Sequence, residues 1–180
     1  MIQAKDRMII ALDFPTMTEA IELVEKIGDG ATFYKVGLEL FLNSSGKMIE
    51  YLAGKKKKIF LDLKFHDIPN TTAMASVFAS KENVFIVEEV RKIDEKSLLI
   101  AVTILTSLSQ EEVKETFMTE TSIKDLAMNL ARLAKESGMN GVVCSPWEAK
   151  YIKEALGEEF KTVCPGVRPA WSATNDQTRI

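Results

Sequence analysis

Residues 60 to 71 read Phe-Leu-Asp-Leu-Lys-Phe-His-Asp-Ile-Pro-Asn-Thr, which sets two carboxylates and an amine at the end of an apolar run. Side chains alternate between the faces of a strand, so Phe60, Asp62 and Lys64 share one face and Leu61 and Leu63 take the other. Asp67 follows in the loop before Pro69. Taking a charge out of water is costly unless it is paired. An Asp, Lys, Asp cluster there is a structural ion network or a reaction centre, and reaction centres are where perturbed ionisable groups gather. The chemistry open to it is proton transfer and charge stabilisation. With a single histidine, His66, in the chain, that work falls to Asp, Glu and Lys. His66 itself reads as an imidazole packed or hydrogen-bonded near the strand end.

Composition narrows the partners. The 180 residues are 46% hydrophobic and 27% charged, enough for one domain over residues 1–180 with a sizeable core. A net charge of -3 gives no general attraction to nucleic acid or to an acidic membrane, and leaves room for a small anionic ligand. Cys144 and Cys164 stand without a Cys-x-x-Cys or Cys/His spacing, which argues against a disulfide framework and a metal site and for two buried, reduced thiols. No apolar run reaches the about 18 residues of a membrane span, and Met1 to Arg7 lacks the apolar core of a signal peptide. The expected location is the cytoplasm.

The elements that must carry the charged array follow from periodicity. Short β-branched apolar runs alternate with longer segments of helical period, the mark of repeated βα units and a parallel sheet. Strands are expected at 8–13, 32–37, 58–64, 83–87, 98–105, 141–145 and 161–167. Thr16 with Glu19 caps a helix that Gly28 closes. Ser122 and Asp125 open another, with an Ile123, Leu126, Leu130 and Leu133 stripe for the core, ending before Gly138. Ser145, Pro146 and Glu148 start a third, closed by Gly157. Lys55 to Lys58 read as a solvated basic face at a helix C-terminus.

Seven strands in this alternation predict an α/β chain of the (β/α)8 TIM barrel class, although a typical barrel has eight strands and about 250 residues. Only ten residues, Glu88 to Ser97, separate the fourth and fifth strands, whereas a parallel crossover takes a dozen or more. The chain therefore reads as an incomplete barrel, lacking an internal segment after strand four and also strand eight. In this fold, active sites lie at the C-terminal ends of the strands. Asp13, Lys35, Asp62 and Lys64 all fall at or near such ends. Thr106 and Ser107, at the end of the fifth strand, read first as hydroxyls satisfying loose backbone groups.

Taken together, the Ala-Leu-Asp of 11–13, the Lys-Val-Gly of 35–37, the run from Asp62 to Thr71, the Leu-Thr-Ser of 105–107 and the Pro-Gly-Val-Arg-Pro with Asp-Gln at 165–177 resemble the orotidine 5'-phosphate decarboxylase family. The resemblance implies decarboxylation of orotidine 5'-phosphate to UMP in pyrimidine biosynthesis, with no metal or organic cofactor. It implies that Lys64 protonates C6 of the pyrimidine, beside Asp62, Lys35 and an Asp67 contributed by the partner subunit of a homodimer. It further implies that Asp13 binds ribose hydroxyls, Thr71 of the partner and Thr106 join the substrate contacts, and Arg168 and Gln177 hold the 5'-phosphate. An ammonium already in place is suited to stabilise negative charge growing on a carbon without reorganisation.

The chain departs from the family pattern after Val87, where a His-Ala-Xaa-Gly-Gly type segment is replaced by Glu88 and Glu89, and it carries no Gly-Arg pair after an eighth strand. Two other readings compete: a related magnesium-dependent sugar-phosphate decarboxylase or aldolase, against which His66 through Thr71 argue, and an inactive, truncated relative that only binds nucleotide.

Overall fold

Three parallel strands in sequence order open the chain: β1 (Ile10–Ala11), β2 (Phe33–Gly37) and β3 (Lys58–Asp62). The computed structural model describes residues 6–64 and 98–167, and the chain falls into two compact units, Met1–Ser97 and Leu98–Ile180. The expected strand at 83–87 lies outside the described residues, as do His66, Asp67, Thr71, Arg168 and Gln177.

In the first unit, helix α1 (Met17–Ile27) links β1 to β2. Thr16 caps it, accepting the Glu19 N–H at 3.3 Å and donating its hydroxyl to the Glu19 carboxylate at 2.6 Å. Gly28 then turns the chain with φ +55, in the left-handed region where a side chain is disfavoured. Between β2 and β3 stand two helices, α2 (Leu38–Asn43) and α3 (Lys47–Gly54), separated by Ser45 at φ +50 and Gly46 at φ +78. The buried face of the sheet carries Leu12, Tyr34, Val36, Ile59 and Leu61, packed with Ala20, Val24, Leu40, Met48 and Leu52 from the helices. One face of each strand is thus spent on the helices. Phe33, Lys35, Gly37, Phe60 and Asp62 are left on the other.

In the lysine run after α3, Lys55, Lys56 and Lys58 are exposed as expected and Lys57 departs from that character. Lys57 is only 11% exposed, and its ammonium donates to the carbonyls of Gly28 at 2.7 Å and Ala31 at 3.0 Å. It satisfies backbone acceptors just past the end of α1, where such groups lack helical partners. Lys55 pairs with Glu25 at 2.5 Å, and Tyr51 donates its hydroxyl to the same carboxylate. The Lys55 and Tyr51 hydrogen bonds hold the Glu25 carboxyl below its usual range.

The second unit repeats the plan. Strands β4 (Ile100–Val102), β5 (Gly141–Val143) and β6 (Lys161–Val163) are parallel and adjacent in sequence order. Helices α4 (Gln110–Phe117) and α5 (Ile123–Glu136) lie between β4 and β5, and α6 (Pro146–Leu156) between β5 and β6. α4 opens on a capping box, with the Ser109 hydroxyl accepting the Glu112 N–H and the Glu112 carboxylate accepting the Ser109 N–H at 2.7 Å. In α5 the buried line is Ile123, Ala127, Ala131 and Ala134. Leu126 and Leu130 pack at its margin, and Leu133 is half exposed, so the expected leucine stripe is displaced toward the small residues. Small side chains let the helix approach its neighbours closely. Of the two cysteines, Cys144 is buried and Cys164 is only partly so.

Every described strand is shorter than its apolar run suggested. Lys64 has φ +48 and leaves the extended region, Ser145 becomes the N-cap of α6, and Pro165 has no N–H to give a ladder.

Candidate active site

Asp13, Lys35, Asp62 and Lys64 come together at the C-terminal edge of the β1–β2–β3 sheet. The ladder between the first two strands runs one step past β1, with the Leu12 N–H donating to the Lys35 carbonyl at 3.0 Å. Asp13 is the next residue. The segment after it is held by the Asn43 side-chain amide, which donates to the Pro15 carbonyl at 2.9 Å. Register places Gly37 opposite Asp62 and Lys35 opposite Phe60.

The charges alternate along a continuous line. The Lys35 ammonium donates to Asp13 Oδ1 at 2.7 Å and lies 3.8 Å from Asp62 Oδ2. The Lys64 ammonium donates to the other oxygen, Asp62 Oδ1, at 2.6 Å. One carboxylate is therefore shared between two lysines. Lys35 and Asp62 are 23% and 20% exposed, whereas Lys64 is 54% exposed. The inner pair is anchored and the outer ammonium remains open to a ligand.

Stability alone does not account for this arrangement. Ion pairs that keep this much contact with water contribute about 0–1 kcal/mol, while a non-glycine residue in the left-handed region costs roughly 1–2 kcal/mol. Lys64 stands there. Among the described residues, the other non-glycine residues with positive φ, Ser45, Lys56 and Met118, all occur in turns or caps at helix ends. Lys64 instead stands two residues past the end of β3. Strain held at a charged group just past a strand end points to a site whose geometry is kept for use.

Gly37 was not singled out as a site residue from the sequence, although it closes the Lys-Val-Gly segment. A Cβ added there would lie 3.5 Å from the Lys35 ammonium and 3.8 Å from Asp13 Oδ1. Both are ordinary contact distances, so Gly37 borders the array without space there demanding a glycine. Thr106 belongs to the second unit and is buried. The remaining expected site residues, Asp67, Thr71, Arg168 and Gln177, lie outside the described residues. Among the described residues no group of three or more His, Cys, Asp or Glu side chains is placed to hold a metal ion, and no helix is long and apolar enough to cross a membrane.

Residues 6–180 match the model of the Orotidine 5'-phosphate decarboxylase / HUMPS family. The chain belongs to this family. Orotidine 5'-phosphate decarboxylase of Gloeothece citriformis is 39% identical over 190 residues, an alignment taking in 97% of this chain and 82% of that one. The enzyme of the same name from Hahella chejuensis is 44% identical over 189 residues, with 97% and 81% covered. The crystal structure of orotidine 5'-phosphate decarboxylase from Lactobacillus acidophilus superposes with a TM-score of 0.80 at 34% identity, covering 90% of this chain and 81% of that one. Family membership and this likeness establish the α/β, (β/α)8 TIM barrel fold class. Both sequence alignments run to more positions than the 180 residues of this chain. The relatives therefore carry residues within the matched region that this chain lacks, in keeping with the expected internal deletion.

Proposed function

We propose that this protein decarboxylates orotidine 5'-phosphate to UMP, the activity named for its relatives, with Lys64 as the proton donor. The observation that carries the reading is the shared carboxylate: Asp62 holds Lys64 at 2.6 Å and approaches Lys35 at 3.8 Å. As carbon dioxide departs, the electron pair of the broken bond stays on C6. The Lys64 ammonium stabilises that charge and then donates its proton to the same carbon. Asp62 keeps the ammonium in position before the reaction and presents like charge to the substrate carboxylate. Lys35 holds Asp62 and Asp13 in line, and Asp13 binds ribose hydroxyls.

Asp67 and Thr71, contributed by the partner subunit of a homodimer, complete the pocket, and Thr106 contacts the pyrimidine. Arg168 and Gln177 hold the 5'-phosphate, where a guanidinium suits two-point recognition of a phosphate. Binding energy from that remote group is used at the reacting carbon. On this reading, residues 1–180 form a single barrel domain, the enzyme works in the cytoplasm, and it needs no metal.

The test is an ultraviolet assay of orotidine 5'-phosphate consumption by the purified protein, with and without chelator. Turnover unchanged by chelator is expected. No turnover of orotidine 5'-phosphate, with magnesium-dependent turnover of a keto sugar phosphate that chelator abolishes, would favour the sugar-phosphate enzymes of the family. Nucleotide binding without turnover would identify an inactive relative.

A further inference from the structure

β5 and β6 run side by side with Val143 opposite Val163, and the next residues along are Cys144 and Cys164. The ladder continues to them, because the Cys144 N–H donates to the Val163 carbonyl at 3.0 Å. Neighbouring strands lie about 4.8 Å apart, inside the Cα separation of about 4.4–6.8 Å that a disulfide requires. The side chains also meet. The Cys144 thiol hydrogen-bonds to Cys164, and the two share an apolar cluster with Val142, Ile152 and Phe160. Both are free thiols in this structure. The hydrogen bond from Cys144 holds the Cys164 thiol below its ordinary range, against burial and the charge of Glu148, which act the other way. Thiolate character and access decide which cysteine reacts first. Cys164 is partly exposed and Cys144 is buried behind it.

We infer that Cys144 and Cys164 form a reversible redox pair in which a peroxide oxidises Cys164 and Cys144 resolves the product to an intramolecular disulfide. The Cys164 thiolate attacks the peroxide O–O bond; an S–O bond forms, the O–O bond breaks, and with hydrogen peroxide one water leaves. The Cys144 sulfur then displaces the hydroxyl from the sulfenic acid, forming the S–S bond and releasing a second water. Two thiols are oxidised and the peroxide is reduced. Neither thiol has a part in the proposed decarboxylation, so the pair stands or falls separately from it.

The test treats the reduced full-length chain with hydrogen peroxide, alkylates it in denaturant and reads it by mass spectrometry. The expected product is about 2 Da lighter than the reduced chain, with the peptides carrying residues 144 and 164 joined and both thiols returned by dithiothreitol. Cys164→Ser, a change at the partly exposed position, slows loss of the Cys144 thiol at least about tenfold. Three outcomes overturn the inference: a disulfide between two chains, Cys164 advancing to a sulfinic acid about 32 Da heavier while Cys144 stays alkylatable, or both thiols surviving the oxidant.

Discussion

Lys64 combines an exposed ammonium, a 2.6 Å bond to Asp62 and a left-handed backbone, so its side chain can be removed with little loss of packing. Lys64→Ala is expected to fold with a thermal midpoint near that of the parent and to lose at least about a hundredfold to ten-thousandfold in turnover, the usual contribution of a general acid. Circular-dichroism melting and the ultraviolet assay check the two halves of that statement; turnover near the parent rate would exclude Lys64 as the acid. Lys57 presents the opposite case. Its ammonium closes two carbonyls beside α1, so Lys57→Met keeps the apolar stem and strands the acceptors. A loss of about 1–3 kcal/mol in urea unfolding is expected. The sequence made Asp13, Lys35, Asp62 and Lys64 legible because residue type and strand position suffice to place them. It misread Lys57 because a long side chain can lie along apolar surface and put its charge either in water or on a backbone carbonyl, and nothing in a run of four lysines distinguishes these. The strain at Lys64 left no trace in composition at all.

At the scale of elements, the helix starts at Thr16, Ser122 and Ser145 were readable, whereas among the described strands only the end of β2 at Gly37 was. The Ser145 N–H donates to the Glu148 carboxylate at 2.8 Å with Pro146 in the first turn, as the residues at 145–148 suggested. A cap is a local contact among neighbours in sequence. The end of a strand depends on where its partner stops, which lies elsewhere in the chain. The α5 stripe was legible in part: Ile123, Leu126 and Leu130 do pack on the core, but close approach gives the most buried line to the alanines at 127, 131 and 134 and leaves Leu133 half exposed. Gly141 shows how tight such approaches become. A Cβ there would fall 2.2 Å from the Lys161 carbonyl oxygen on β6, far inside van der Waals contact with an atom the ladder holds fixed. Gly141→Ala must displace β5 from β6 and is expected to cost about 3 kcal/mol, read as a lower urea midpoint. A midpoint equal to the parent would mean that the two strands separate freely.

For the whole molecule, the proposed sharing of active sites makes a quantitative demand on assembly. If Asp67 serves the partner's Lys64, each site of a homodimer takes its amine from one chain and this carboxylate from the other. Lys64→Ala and Asp67→Ala dimers are then each inactive, because both sites of either one lack an essential group. Mixing the two chains in equal amounts and allowing exchange gives half mixed dimers. In each of those, one site has lost both groups, while the other combines an intact Lys64 with an intact Asp67. About one quarter of the parent's activity should return, as expected for random pairing in a two-fold assembly. If Asp67 instead serves its own chain, every site in the mixed dimer lacks one group and no activity returns. Different affinity tags on the two chains, with recovery of dimers that carry both tags, confirm that exchange has taken place, so failed complementation cannot be mistaken for failed mixing. The experiment also bears on the residues that the relatives carry within the matched region and this chain lacks. Recovered activity requires the chain as it stands to form a competent pocket across two subunits, with the family's extra residues absent.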